Sequence, residues 1–213
     1  MRYYLMLMIV VFASLLMFGC ANPAANKPKA TVANAAPENG PARNEAAERL
    51  VISPANSKVE FVAAKVTRSH NGSFKQFAGT IDLAGNIVEA SRVAIDIDTA
   101  SVVTDEDQLT GHLKTPDFFD VAKYPKATFV STKIEPNTAG GVTHSITGNF
   151  DLHGVKKSIT FPAAIRVAPD SVSVNAEFAI NRKDFGLLYP GKADDLIRDG
   201  VVIKLTLKVP RKP

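Results

Sequence analysis

From about residue 50 onward the chain alternates between apolar and polar positions. "SKVEFVAAKV" (57–66) sets Val59, Phe61 and Ala63 on one face of an extended segment. "FAGTIDL" (77–83) groups Phe77, Gly79, Ile81 and Leu83 against Ala78, Thr80 and Asp82. "RVAIDID" (92–98), "HSITGNFDL" (144–152), "SITFPAAIRV" (158–167), "SVSVNAEFAI" (171–180) and "VVIKLTLKV" (201–209) repeat the pattern, and "ATFVSTKIE" (127–135) is a less regular eighth. A period of two predicts strands with one apolar face, and one wet face per strand predicts an antiparallel sheet. Phe61, Phe77, Phe150, Phe161 and Phe178 are therefore expected to point inward. Thr80, Asp82, Asp151 and Lys204 are expected to point outward, because a one-residue slip would reverse every side chain. Turn signals fall between the strands: "HNG" (70–72), "AGG" (139–141) and the His153-Gly154 pair. Pro162 marks a bulge or an edge.

Eight antiparallel strands must cover their single apolar face, and a sandwich or a closed barrel both do so. A barrel of this size is either filled by its own side chains or wide enough for one small ligand. Periodicity leaves these alternatives open. Two segments interrupt the strand rhythm. "TDEDQLTGHL" (104–113) predicts a short helix with Thr104 as N-cap and acidic residues in its first turn, running on into "KTPDFFDVAKYP" (114–125). Residues 181–200 form a long connection, and connections of that length are often functional.

The chain before residue 50 is different in kind. Residues 5–18 are an unbroken run of apolar and small residues behind a single Arg2. That run is short for a membrane span and fits a secretory leader, here residues 1–19. Cys20, the one cysteine of the chain, follows at once. It cannot form an internal disulfide, and its position fits a lipoprotein-type signal with Cys20 acylated as the mature N-terminus. Residues 20–49 are rich in Ala, Asn and Pro, with Val32 as their one β-branched apolar residue before Leu50. That composition predicts a disordered tether with a reach of about 30 Å. Residues 50–213 form the folded domain.

Charge and candidate chemistry narrow the function. The net charge is +4, with basic residues scattered rather than clustered, which argues against nucleic-acid binding. His70, His112, His144 and His153 stand apart in sequence, so no metal-ligand spacing is present; His70 and His153 are expected in solvent-exposed turns. Asp117, Asp120, Asp194 and Asp195 supply carboxylates whose expected work is capping and surface pairing, with an envelope hydrolase as the alternative. Phe118 and Phe119 lie side by side between Pro116 and Pro125. Such a rigid aromatic connection is either a plug sealing one barrel end or a lid over an apolar guest.

"GHLKTPDFFDVAKYPKATF" (111–129) resembles the central motif of the YceI-like, polyisoprenoid-binding family. Four further stretches resemble it in the right order: "GSFKQFAGTIDL" (72–83) with Gly-x-Phe-x-x-Phe-x-Gly, "GNFDLHGVKKSITFP" (148–162) with its His-Gly turn, "INRKDFGL" (180–187) with Arg-x-x-Phe-Gly, and "DGVVIKLTLKV" (199–209). The resemblance covers about residues 51–210. It implies an all-β fold, an eight-stranded antiparallel barrel similar to lipocalins, with short helical inserts at the mouth. The chain departs from true lipocalins in having no Trp. The resemblance further implies a non-catalytic protein holding a long isoprenoid chain, an isoprenoid quinone or a similar apolar lipid, with no other cofactor. Phe61, Phe77, Ile95, Phe118, Phe119, Phe129, Phe150, Phe161, Phe178 and Tyr189 are the expected ligand contacts, and Arg182, Asp184 and Tyr189 are placed to meet a head group. With Cys20 lipidated, the protein is expected in the cell envelope, membrane-anchored and facing the periplasm. A filled barrel acting through its outer surface, and assembly as a homodimer, stay open.

Overall fold

The computed structural model describes residues 21–37 and 47–211; the leader and Cys20 lie outside the described residues. The strands are β1 (Thr31–Asn34), β2 (Glu48–Ile52), β3 (Ser57–Ala64), β4 (Ser69–Phe74), β5 (Phe77–Ala84), β6 (Ile87–Asp98), β7 (Val102–Thr104), β8 (Lys126–Pro136), β9 (His144–Leu152), β10 (Val155–Val167), β11 (Ser171–Asn181), β12 (Gly191–Lys192), β13 (Asp195–Leu196) and β14 (Gly200–Pro210), with one α-helix, α1 (Asp107–Leu113). The eight segments read from periodicity are β3, β5, β6, β8, β9, β10, β11 and β14. With β2, β4 and β7 they form one curled antiparallel sheet in the order β2-β5-β6-β8-β9-β10-β11-β14-β3-β4-β7.

The curl closes through corners, where one strand leaves one part of the sheet and enters another. β2 pairs with β5, and after four residues the same chain pairs with β14 as β3. Asn56 holds this corner: its carboxamide accepts from Ser53 N at 3.1 Å and donates to Val51 O at 3.0 Å. The hairpin β5–β6 likewise bends and continues as β4–β7. Its two corners are tied together by Ser101, whose hydroxyl accepts from Gln76 N at 3.0 Å while its carbonyl accepts from Lys75 N at 3.1 Å. Inside the curl lies a core of aliphatic and aromatic side chains from every principal strand.

Phe61, Phe77, Phe161 and Phe178 are buried and Phe150 packs against the core, all on the inner face, as alternation requires. Thr80, Asp82, Asp151 and Lys204 stay partly exposed. His153 and Gly154 adopt positive φ angles of 56° and 73° in a two-residue loop between the paired Leu152 and Val155, the geometry of a primed hairpin turn. Pro162 pairs with Ser145 on one side. On its other side it falls between the stretch of β10 that pairs β1 and the stretch that pairs β11.

Three sequence expectations are corrected. His70, Asn71 and Gly72 are not a turn but part of β4. Gly72 is there because it faces Phe61: a Cβ would stand 2.1 Å from that ring. The helix does not begin at Thr104 or run on to residue 125. Glu106 is the N-cap, without a side-chain cap, while the Thr104 hydroxyl bonds to Thr110 and to Glu106 O. Pro116 follows the last turn, and Thr115 O gathers the N–H groups of Phe118 and Asp120 in successive turns. Third, residues 21–37 of the expected tether are ordered on the barrel, with β1 paired to β10. Composition measures what a segment can bury by itself; a strand bound to an existing edge gains order from main-chain hydrogen bonds.

Phe185 is fully buried and packs edge-on to Phe150 at 5.1 Å. Phe185→Ala is expected to cost about 3–5 kcal/mol. Phe150→Ala, at a half-buried ring beside internal free space, is expected to cost distinctly less. Urea unfolding of the two variants measures the difference.

Candidate ligand-binding site

The inner face of the barrel leaves a cavity of about 140 Å³. Among the described residues its charged lining members are Glu60 and Arg182; the others are apolar. The wall is built by alternation. Val59 and Phe61 come from β3, Ile95 and Ile97 from β6, Ala127 and Phe129 from β8, Phe150 and Leu152 from β9. Ile159 and Phe161 come from β10, Phe178 and Ile180 from β11, and Val201, Ile203 and Leu205 from β14. Deep in the barrel Phe161 stacks on Phe178 at 4.2 Å and meets Phe129 at 5.6 Å. Nearer the 105–125 segment, Phe74 bridges Phe61 at 5.9 Å and Phe119 at 5.7 Å.

Of the expected contacts, Phe61, Ile95, Phe118, Phe119, Phe129, Phe150, Phe161 and Phe178 line the cavity. Phe77 does not; it is buried in the core away from the cavity wall. Tyr189 lines an adjoining pocket of about 350 Å³ rather than the cavity. Phe74, which sequence alternation does not assign, also lines the cavity; it and Phe77 lie three apart, which a continuous strand would place on opposite faces. The corner at Lys75-Gln76 resets the alternation and turns both inward.

The second pocket is the vestibule. It shares Phe61, Ala63, Leu113, Phe118 and Ile197 with the cavity and adds His70, Glu106, His112, Tyr189, Lys65, Lys192 and Asp195. One side is α1 and the turns after it; the other is the β12–β13 hairpin. His112, Phe118 and Tyr189 form a ring cluster with centroids 5.0–5.3 Å apart. His112 Nε2 lies 2.8 Å from Asp117 Oδ2, across the turn that follows its helix. His70, expected exposed in a turn, is buried in β4, its Nδ1 2.8 Å from Asp105 Oδ1. Burial pushes the Asp105 carboxyl up, but the N–H of Asn71 and the His70 ring outweigh it and leave the pKa below the usual carboxylate value.

Arg182 and Asp184 are not placed at the vestibule to meet a head group. Arg182 is buried, and its guanidinium donates to the carbonyls of Leu187, Ile197 and Arg198, with Asp199 at 3.6 Å. Burial pulls its pKa below the usual guanidinium value, with Asp199 opposing. The residue pins the 187–198 loop to the barrel end. Asp184 is exposed on the outer surface, in a shallow depression beside Val32, Asn34 and Lys157. In the Arg-x-x-Phe-Gly element, Phe185 fills the core and Gly186, at φ 74°, ends the short turn left-handed.

The fold is shared with known proteins. A model of the YceI-like domain matches residues 50–209. The chain belongs to the YceI-like family. A UPF0312 protein of Pseudomonas putida (strain W619) is 35% identical over 127 residues, covering 57% of this chain. The match spans 65% of that relative, just under two thirds of its length. A UPF0312 protein of Pseudomonas fluorescens (strain SBW25) is 32% identical over 133 residues, 60% of this chain and 68% of the relative. Among solved structures, Burkholderia cenocepacia BcnA superposes with a TM-score of 0.65 at 26% identity, over 74% of this chain and 98% of its own. A polyisoprenoid binding domain from Saccharophagus degradans, implicated in plant cell wall breakdown, superposes with a TM-score of 0.61 at 22% identity, over 78% and 99%.

One carboxylate helps to hold the vestibule wall of this YceI-like protein. Asp195 lies 2.6 Å from Lys65 Nζ and accepts from the N–H and hydroxyl of Thr67. The Lys65 ammonium, helped by Thr67 and opposed by desolvation, lowers its pKa. A depressed folded-state pKa stabilises above the unfolded value of about 3.9 and is lost as pH falls through the folded value. Protection of the Val66 amide, which donates to Leu196 O, is therefore expected to fall selectively in acid, relative to core amides. Asp195→Asn should reduce that protection at neutral pH and flatten its pH dependence; hydrogen exchange followed by NMR reads both.

Proposed function

We propose that the protein is a non-catalytic lipid carrier that holds a polyisoprenoid or similar long apolar chain in the barrel, tethered to a membrane through acylated Cys20. The observation that carries this reading is the cavity wall: apart from Glu60 and Arg182 its lining residues are apolar, and the donors of buried Arg182 are engaged by backbone carbonyls. Such a wall selects by shape and apolar burial, at about 25 cal/mol for each Å² covered. The family membership and the fold shared with a polyisoprenoid binding domain support the ligand class.

The cavity volume sets a condition on binding. About 140 Å³ is close to the engineered protein cavity of roughly 150 Å³ that admits benzene. A chain of several isoprene units needs the aromatic side chains to swing aside. Near the vestibule Phe74 meets Phe119, and Phe118 meets half-exposed Tyr189, by tilted contacts rather than close stacking. The vestibule, with its mixed lysines, histidines and carboxylates, would then face the polar end of the lipid.

Mass spectrometry of lipid extracted from the purified protein is expected to give an isoprenoid species in defined proportion to protein. Phe118→Ala combined with Phe119→Ala should lower that ratio while the barrel stays folded. His112→Ala, which loses a pair with Asp117 and edge contacts with Phe118 and Tyr189, should lower it distinctly less. The reverse pattern would overturn the reading in favour of polar recognition.

The anchor is tested separately. Cys20→Ser should release the protein from the membrane fraction or leave its leader unprocessed, whereas the parent protein is expected to fractionate with membranes. A Ser variant that matures normally and stays bound would rule out acylation at this residue.

A further inference from the structure

The barrel wall is discontinuous at one seam. β10 and β11 pair only near their hairpin, from Ala164↔Asn175 to Val167↔Val172. Beyond that point β10 remains paired to β9 and β11 to β14, but the two strands separate. Residues 28–34 fill the gap. β1 runs antiparallel to β10, with Thr31 opposite Thr160 and Asn34 opposite Lys157. On the other flank Ala179 N donates to Pro28 O, and Ala30 N donates to Ala179 O, each at 2.8 Å. Ala30 and Val32 pack against the core, and Val32 stands opposite Ile159. Ile159 and Phe161 on one side of the seam, and Phe178 and Ile180 on the other, are cavity-wall residues. The segment thus closes the wall at a place where cavity-lining residues flank the gap on both sides.

Its attachment is light. β11 and β14 pair along their whole length, whereas the segment pairs over four residues with β10 and makes a single bridge to β11. Outside the seam, Ala24 sits on a small apolar patch of Ala179 and Val202. Lys27 pairs with Glu177 at 2.8 Å, both side chains more than a third exposed. Ala36 exchanges two hydrogen bonds with the Asn149 carboxamide on the outer face of β9. Main-chain groups released from such a strand bond to water instead, so lifting it is less costly than separating two barrel strands. The segment also lies outside the matched family domain, which begins at residue 50.

We propose that the seam between β10 and β11 is a lateral portal for the apolar chain of the ligand, and that residues 28–34 are the strap that closes it. The inference rests on the lipid-binding reading above. Ala21 follows Cys20 directly, so the segment that carries the strap leads to the proposed anchor. With the strap lifted, a long chain enters side-on between Ile159 and Phe178 without being drawn through the charged vestibule.

The test locks the strap. Ala33 and Ser158 are register partners, and facing residues of an antiparallel pair lie within disulfide reach. In the full chain carrying Cys20→Ser, Ala33→Cys and Ser158→Cys place the pair as the only thiols. The probe is all-trans-retinol, a fluorescent isoprenoid alcohol, and its transfer to phosphatidylcholine vesicles is followed with time. Oxidation is expected to slow transfer about tenfold or more, since local opening of the strap is then blocked, and reduction should restore the rate. A second variant, Ala30→Asp with Val32→Asp in the same background, should unseat the strap and speed transfer, with the thermal transition of the barrel little changed. Equal rates in the oxidised and reduced forms, with retinol bound in both, would overturn the portal and leave the lipid-binding reading standing. Failure of every form to bind retinol would overturn the lipid-binding reading and the portal with it.

Discussion

Pairing of main-chain groups around a closed curl is the constraint on which the rest of the structure depends. A flat sheet of these strands would expose its apolar face and two open edges. The chain avoids both by bending strands at Ser53–Asn56, at Lys75-Gln76 and at 99–101, so that each serves two parts of the sheet. Ser101 and Asn56, small polar residues, hold these corners by bonding to backbone groups that the ladder leaves unpaired. With the corners fixed, alternation has one outcome: an apolar interior. The cavity, its aromatic lining and the position of the vestibule follow from that closure.

Much of this was legible in the sequence. The eight principal strands and their inward Phe residues follow from a period of two, and the His153-Gly154 turn follows from its need for positive φ. What escaped were the places where backbone geometry overrides a local signal. Gly72 looks like half of a turn dipeptide but is the space that the Phe61 ring needs. Phe74 belongs to the cavity only because a corner changes its parity. His70 is buried because β4 carries it under Asp105, a contact between residues far apart in sequence. Arg182 resembles a head-group ligand in sequence, yet its donors are taken by three backbone carbonyls of the loop it anchors. Segment 21–37 is ordered by an edge that the rest of the fold provides, and no property of its own composition announces that.

Charge and apolarity are kept apart in this molecule. Ion pairs such as Lys65–Asp195, Arg49–Asp82 and Arg211–Glu48 sit at the rims or outer face. Exposed pairs of this kind add little to stability. Their effect is positional: Lys65 and Asp195 fix the hairpin that walls the vestibule, and Arg211 ties the end of the last strand to the first strand of the domain. The interior holds almost nothing that can hydrogen-bond a guest. A ligand bound there would gain apolar contact, while discrimination would fall to chain shape and to whatever the vestibule admits.

That division shapes how a lipid could be exchanged. Moving an apolar chain from a bilayer into an apolar barrel trades one hydrocarbon environment for another, so the hydrophobic terms at the two ends largely cancel. What remains is the barrier between them: the apolar surface exposed to water on the way, and the polar groups a chain must pass. A route through the vestibule drags the chain past Lys65, Lys192 and paired carboxylates. A route through the β10–β11 seam replaces an intramolecular strand with the lipid itself, so that Ile159 passes from its place opposite Val32 to contact with the guest. The strap lies against the same residues that line the cavity, and in the proposed lipoprotein it is the segment that leads to the membrane. Tethering and loading are then two consequences of one stretch of chain, which explains why a segment so poor in apolar residues is nonetheless held in register on the barrel.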